Sequence, residues 1–105
     1  MIVEEEYESY KIKLRDLFEK YGDEYIRFER IENKKSSRPD IHAMILLNEI
    51  VPGDRDIVSA SEHDEFWLDI DCEKLAEIIT DEQVIELRRC GVHYDEEVDS
   101  LGMFT

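Results

Sequence analysis

Residues 57 to 70, which read IVSASEHDEFWLDI, contain two short runs rich in β-branched and aromatic residues on either side of His63-Asp64. Two such runs around a two-residue turn predict a β-hairpin with strands over residues 57–62 and 65–70. Because successive side chains of a strand point to opposite faces, the second strand has one apolar face and one face that combines an aromatic ring with carboxylates. The first face carries Phe66, Leu68 and Ile70, and the second carries Glu65, Trp67 and Asp69.

The residues after this hairpin predict two short helices and a second hairpin. Asp71 precedes a run with apolar residues at helical spacing and is a favoured N-cap residue. Thr80 followed by Gln83 is the pattern of a capping box, and Gly91 stands where helices commonly end in a glycine. Residues 92–95 and 100–104 then predict two strands around a turn at residues 96–98. This order of elements predicts an α+β fold with a small antiparallel sheet.

Two further helices are predicted before the first hairpin. Residues 41–51 are apolar on nearly every side, which is typical of a helix buried in the centre of a core, and Pro52-Gly53 ends it. Residues 4–33 place apolar side chains at steps of three and four, which predicts a helix over about residues 4–21. Residues 23–33 either continue this helix or form a separate short element. We therefore predict an N-terminal helical segment over residues 1–38 and an acidic α+β domain over residues 39–105.

The apolar stripe of the first helix has two interpretations. It packs against the chain's own sheet, or it pairs with the same helix of a second copy in a homodimer. In the second case the protein is a structural or assembly module, and its acidity serves only solubility. The stripe consists of Tyr7, Tyr10, Leu14, Leu17, Tyr21, Phe28 and Ile31.

The charge of the chain is strongly negative and unevenly distributed. The 105 residues include 28 Asp and Glu against 13 Lys and Arg, a formal net charge of −15. Residues 1–38 contain ten acidic and nine basic residues, a net charge of −1, whereas residues 39–105 contain eighteen acidic and four basic residues, a net charge of −14. Because such a charge repels nucleic acid and anionic lipid, we expect no direct nucleic-acid binding and no membrane binding. The expected partner is a basic, nucleic-acid-binding protein.

The excess carboxylates predict a partner-binding surface. Carboxylates at positions i and i+2 of a strand lie about 6.6 Å apart on one face, a step comparable to that between neighbouring phosphates. The alternative is that the acidic face only solvates the chain, as blocks of like charge commonly do. Trp67 among carboxylates is typical of an aromatic interface anchor, unless the first helix covers it. The predicted surface consists of Glu62, Asp64, Glu65, Trp67, Asp69, Asp71, Asp95, Glu96, Glu97 and Asp99.

The sequence predicts no catalytic residue, metal ion or cofactor. His63, Asp64 and Glu65 lie at the predicted hairpin tip, where Asp favours turn geometry. Cys90 and His93 resemble half of a zinc site, but a structural zinc site needs four ligands. A metal-dependent enzyme that uses His63, Asp64, Glu65 and His93 is the least favoured alternative.

The expected compartment is the cytoplasm. Cys72 and Cys90 are too few for the disulfide framework of a secreted miniprotein. The first residues lack the features of a signal peptide, and no apolar run reaches the length of a bilayer span.

Three segments of the chain resemble a known group of proteins. They read SASEHDEFWL (residues 59–68), RCGVHYD (residues 89–95) and DSLGMF (residues 99–104). Over about residues 40–104 the chain is similar to small acidic, mostly uncharacterised proteins of bacteriophages and prophages. The resemblance implies a phage-encoded inhibitor of the anti-CRISPR or anti-restriction type in the host cytoplasm. Together with the charge, it predicts a non-enzymatic protein that occupies a basic nucleic-acid-binding surface of a host protein by phosphate mimicry.

Overall fold

The computed structural model describes the backbone of residues 2–104 and the side chains of residues 9–104. Within this range the chain has an α+β fold, as the sequence predicted, with four α-helices and four strands. Residues 23–33 do not continue the first helix, because two 3-10 turns, Gly22–Glu24 and Phe28–Arg30, follow it. The elements in chain order are α1 (Ile2–Lys20), α2 (Pro39–Ile50), β1 (Val58–Glu62), β2 (Glu65–Leu68), α3 (Cys72–Ile78), α4 (Asp81–Cys90), β3 (Val92–Asp95) and β4 (Ser100–Phe104).

The four strands form one antiparallel sheet in the order β1-β2-β4-β3. The two predicted hairpins, β1–β2 and β3–β4, are both present. They join side by side because β4 also pairs with β2, with Glu65 opposite Phe104 and Leu68 opposite Leu101. In this register the β1–β2 turn lies at one end of the sheet and the β3–β4 turn lies at the other.

The predicted ends of α3 and α4 are confirmed in atomic detail. The carboxylate of Asp71 accepts a hydrogen bond from the backbone N–H of Lys74 and caps α3. Thr80 and Gln83 exchange the two hydrogen bonds of a capping box at the start of α4. Gly91 ends α4 with φ of 93°, a left-handed conformation that favours glycine.

One face of the sheet, which we call the inner face, packs against the helices. Leu68, Val92, Leu101 and Met103 from this face are buried in one core together with side chains of all four helices. The strand alternation predicted from the sequence therefore directs Leu68 inwards and leaves Trp67 on the opposite side of the sheet.

The first helix contributes to the same core. Leu14 is fully buried and Phe18 nearly so, and α1 packs against α3, α4 and β3. Tyr10, Leu17 and Tyr21 of the predicted stripe pack partly buried against this core, whereas the side chain of Tyr7 lies outside the described residues. The stripe thus packs within its own chain. The boundary after residue 38 stays a prediction, although the two predicted parts share this core.

Helix α2 is less buried than its composition predicted. Its inner side carries Leu46 and Leu47 against the core, with α4 as its main neighbour among the helices, but Ile41 and Ile45 on its other side are exposed. His42 on the inner side of this helix is fully buried. Among the described residues, no helix has both the length and the apolar character needed to cross a membrane.

Candidate binding face

The side of the sheet away from the helices, which we call the outer face, is centred on three aromatic side chains. Trp67 of β2 and His93 of β3 meet edge to face, with ring centroids 5.7 Å apart. His93 stacks on Phe104 of β4 at 4.7 Å. Gly102 lies beneath them, and a Cβ atom added there would fall only 2.8 Å from Cε3 of Trp67. A glycine at this position therefore lets the Trp67 ring lie flat against β4.

Glu65 holds the central histidine in place. Its Oε2 atom lies 2.5 Å from Nε2 of His93, and both side chains are largely buried, at 19% and 18% exposure. When Nε2 carries the ring proton, the imidazole donates this hydrogen bond to the carboxylate. Nδ1 of His93 is buried without a hydrogen-bond partner in the described part of the chain. The contact between Glu65 of β2 and His93 of β3, across the intervening β4, thus fixes the orientation of the imidazole in the aromatic cluster.

The aromatic cluster is bordered by an open hollow along β3. Phe104 is 57% exposed and lines this hollow of about 520 Å³. The other lining side chains are mostly acidic, and they include Glu19, Glu65, Asp95, Glu96 and Glu97, with Arg15 and His93. Exposed aromatic rings beside carboxylates are suited to contacts with Lys and Arg side chains of a partner.

The acidic residues of the first hairpin lie at one end of this face. Glu62 and Asp64 are exposed, and among the described residues neither is in an ion pair. Glu62 is directly opposite Glu65 where the β1–β2 turn closes. Two like charges in such a cross-strand pair repel each other. This end of the sheet therefore favours a cationic partner.

The acidic residues of the second hairpin lie at the other end and are more strongly tied to the chain. Glu96 pairs with Arg15 at 3.4 Å, and Asp95 accepts the backbone N–H of Glu97. Asp99 accepts hydrogen bonds from the hydroxyls of two tyrosines, Tyr10 at 2.6 Å and Tyr94 at 2.7 Å. Burial and the hydrogen bond to this carboxylate raise the pKa of Tyr94. Asp99 thus connects α1 to β3. This carboxylate, which was predicted to bind a partner, therefore has a structural role.

Two more of the predicted surface residues have partners within the chain. Asp69 accepts a hydrogen bond from Arg55 at 2.9 Å, and Asp71 caps α3. Replacing either side chain would therefore disturb local structure as well as charge.

The ten predicted residues do not form one continuous row. Glu65 is level with Phe104, and Asp95 is level with Ser100. These levels lie four residues apart along β4, which corresponds to about 13 Å. The expectation of one acidic edge is replaced by two acidic groups on either side of an aromatic centre. The reason is topological, because the two turns occupy opposite ends of an antiparallel sheet.

Cations from the first 38 residues neutralise only part of this charge. Lys20 pairs with Asp81 at 3.6 Å and Lys35 with Glu49 at 3.1 Å, both away from the outer face. In the part of this segment whose side chains are described, Arg15 is the cation that pairs with the predicted surface, through Glu96. Exposed ion pairs of this kind contribute at most about 1 kcal/mol each.

The residues considered for metal binding are not gathered into one site. Within residues 9–104, no group of three or more His, Cys, Asp or Glu is arranged to hold a metal ion. His63 is exposed at the β1–β2 turn, and His93 contacts Glu65 instead. Burial raises the pKa of Cys72 and of Cys90 to about 12, so both thiols are protonated at neutral pH.

Two sets of side-chain contacts were not predicted from the sequence. Phe104 was predicted only as a strand residue, and His93 as a strand residue and half of a zinc site. Their stacking, and the contact of His93 with Trp67, depend on the pairing of β4 with both neighbours. His42 accepts the backbone N–H of Lys35 at Nδ1 and places Nε2 3.3 Å from Glu86. The signal in the sequence for these contacts of His42 was a histidine in a largely apolar helix.

Comparisons of the chain with protein-family models, with curated proteins and with solved structures found no match.

Proposed function

We propose that this protein is a non-enzymatic binding protein whose outer face docks onto a basic, nucleic-acid-binding surface of another protein. The observation that carries this proposal is the aromatic cluster of Trp67, His93 and Phe104 with acidic groups at both ends. Aromatic anchors surrounded by polar residues have the composition of an interface hot spot. The net charge of −15 supplies attraction toward a basic partner at long range.

The spacing of the acidic groups is compatible with competition against nucleic acid. The two levels that carry Glu65 and Asp95 are about 13 Å apart along β4, by strand geometry. This distance corresponds to two of the steps of about 6.6 Å that were compared above with the spacing of neighbouring phosphates. Carboxylates at both ends of the outer face would thus stand where a partner expects phosphates. Together with the resemblance to phage proteins, this supports an inhibitor that acts on a host nuclease or CRISPR effector in the cytoplasm.

Affinity chromatography with matched variants tests the proposal. The full chain is immobilised, and proteins retained from a bacterial lysate at low salt are eluted at high salt and identified. Glu62→Gln with Asp95→Asn removes one charge from each end of the outer face. Glu73→Gln with Glu77→Gln removes the same charge from the exposed side of α3. The identified partner should be a nucleic-acid-binding protein that duplex DNA or RNA displaces from the column.

The two variants should differ clearly in affinity for that partner. We expect a loss of about tenfold or more for the outer-face variant, and about twofold for the α3 variant, because only the former loses direct contacts. Equal losses would show that total charge alone attracts the partner. Retention that nucleic acid does not displace would contradict the competitive mechanism.

The alternative of an assembly module that pairs through α1 requires a different arrangement. Leu14 and Phe18 would have to leave the core to form a helix pair between two copies. Sedimentation equilibrium of the full chain distinguishes the two functions, since the binding protein is expected to be a monomer in the absence of its partner.

A further inference from the structure

We propose that β1 is a docking edge, at which an extended basic segment of the partner protein adds to the sheet as a fifth strand. This inference rests on the proposed function, because it specifies how the partner binds beside the outer face. Strand addition provides backbone hydrogen bonds for affinity, and alternate side chains provide specificity.

The first observation is that β1 is an open edge. Within residues 2–104 it pairs only with β2, and all five of its residues are exposed. Natural edge strands are commonly protected by charged side chains, proline, a β-bulge or a covering element. β1 contains no lysine or proline, and its irregularity lies between Val58 and Ala60, so the stretch from Ala60 to Glu62 carries only the charge of Glu62 as protection. The centre of β1 consists of the small side chains Ser59, Ala60 and Ser61. A neighbouring strand can therefore approach this edge without a steric barrier from side chains.

The register shows which backbone groups are available. Glu62 and Glu65 close a two-residue turn, and this closing pair exchanges the hydrogen bonds of the ladder. The next pair, Ser61 with Phe66, is then of the kind without ladder hydrogen bonds, so the N–H and C=O of Ser61 point away from β2. An irregularity between Val58 and Ala60 interrupts the strand on the other side. The docked segment should therefore pair with residues 60–62.

Charge identifies the occupant as a basic segment rather than a second copy. Glu62 lies opposite Glu65 and forms no ion pair among the described residues, and Asp64 follows in the turn. A lysine or arginine of the added strand would relieve this repulsion. A second copy would bring another chain of charge −15 to the same edge. Ala60 is opposite Trp67, so the docked segment would also reach the aromatic cluster.

The test uses a defined peptide as the probe. An eight-residue peptide of alternating lysine and threonine, capped at both ends, is added to the full chain, and binding is followed by the fluorescence of Trp67, the single tryptophan. The control peptide has the same sequence with alternate amides N-methylated, which removes backbone donors and keeps the charge. Methylation should weaken binding by about two- to tenfold, since it removes the peptide donor that faces the outward C=O of Ser61.

Hydrogen exchange locates the bound peptide. The amide of Ser61 should exchange at least about tenfold more slowly in the presence of the unmodified peptide, because its outward N–H then has an acceptor. Equal affinity for the two peptides, unchanged exchange at Ser61, or no binding of either peptide would overturn the docking edge. Protection of Ser61 that rises with protein concentration and without peptide would overturn it in favour of a second copy.

A variant separates this inference from the proposed function. Ser61→Pro removes the outward N–H and leaves the ladder to β2 intact, as proline is tolerated on edge strands. It should weaken peptide binding about tenfold, and its circular dichroism should match the wild type. If Ser61→Pro keeps full affinity for the nucleic-acid-binding partner while Glu62→Gln with Asp95→Asn loses it, the proposed function stands and the docking edge is wrong.

Discussion

Gly102 provides the sharpest test of the aromatic cluster, through the variant Gly102→Ala. The added Cβ would meet Cε3 of Trp67 at 2.8 Å and Nε2 of His93 at 3.0 Å. Forcing one methyl into a packed site costs about 1–3 kcal/mol, whereas replacing glycine by alanine in a strand returns about 0.5–1 kcal/mol. We therefore expect a net loss of roughly 0.5–2 kcal/mol in the free energy of unfolding. For a chain of this size, each kcal/mol lowers the melting temperature by about 4–8 °C.

The assay is urea denaturation followed by circular dichroism and by the fluorescence of Trp67. The displaced ring should become more exposed, so the emission of the folded variant should shift to longer wavelength. Gly53→Ala is the matched control, because no heavy atom lies within 4 Å of its added Cβ. Its stability should equal the wild type or rise by up to about 1 kcal/mol. If both variants are equally stable and have the same emission, Trp67 does not lie against Gly102.

Three further predictions concern the caps, the ion pairs and the thiols. Asp71→Ala should lower the free energy of unfolding in urea by about 1 kcal/mol through loss of the α3 cap, and no change would contradict that role. Hydrogen bonds from Arg89 lower the pKa of Glu24, so this carboxylate stabilises the fold above about pH 4.3 and loses the effect as the pH falls through its lowered value. Glu24→Gln should accordingly melt below the wild type at neutral pH, and the difference should vanish in strong acid. Because burial raises the pKa of Cys72 and Cys90 to about 12, a thiol reagent at about pH 8 should label them only after unfolding. Stability should also decline above about pH 9, where only the unfolded thiols ionise, and rapid labelling of the native chain would contradict their burial.

The local elements of this fold could be predicted because each depends on residues close in sequence. Asp71, Thr80 with Gln83, and Gly91 mark helix ends through hydrogen bonds or backbone angles within one turn. The alternation around Trp67 likewise placed its side chain on the face opposite Leu68. These signals do not depend on how distant parts of the chain meet.

The arrangement of the candidate site could not be predicted, because it depends on contacts between distant residues. The pairing of β2 with β4 brings Glu65 to His93 and leaves the two acidic turns at opposite ends of the sheet. The composition of the β3–β4 turn likewise gave no sign that Asp99 would accept two tyrosine hydroxyls. Counting charges shows how many carboxylates a surface has, but not which of them the fold uses internally.

The position of β4 has a consequence for the biosynthesis of this protein. Residues Ser100–Phe104 form the last strand in chain order, yet this strand lies between β2 and β3 and joins the two hairpins. A nascent chain on the ribosome can form the helices and the β1–β2 hairpin early. It cannot complete the sheet until Phe104 has left the exit tunnel. The two hairpins therefore remain unjoined until β4 has been synthesised. A stop codon or a protease cut just before Ser100 would separate the hairpins and expose the leucines of the inner face to aggregation.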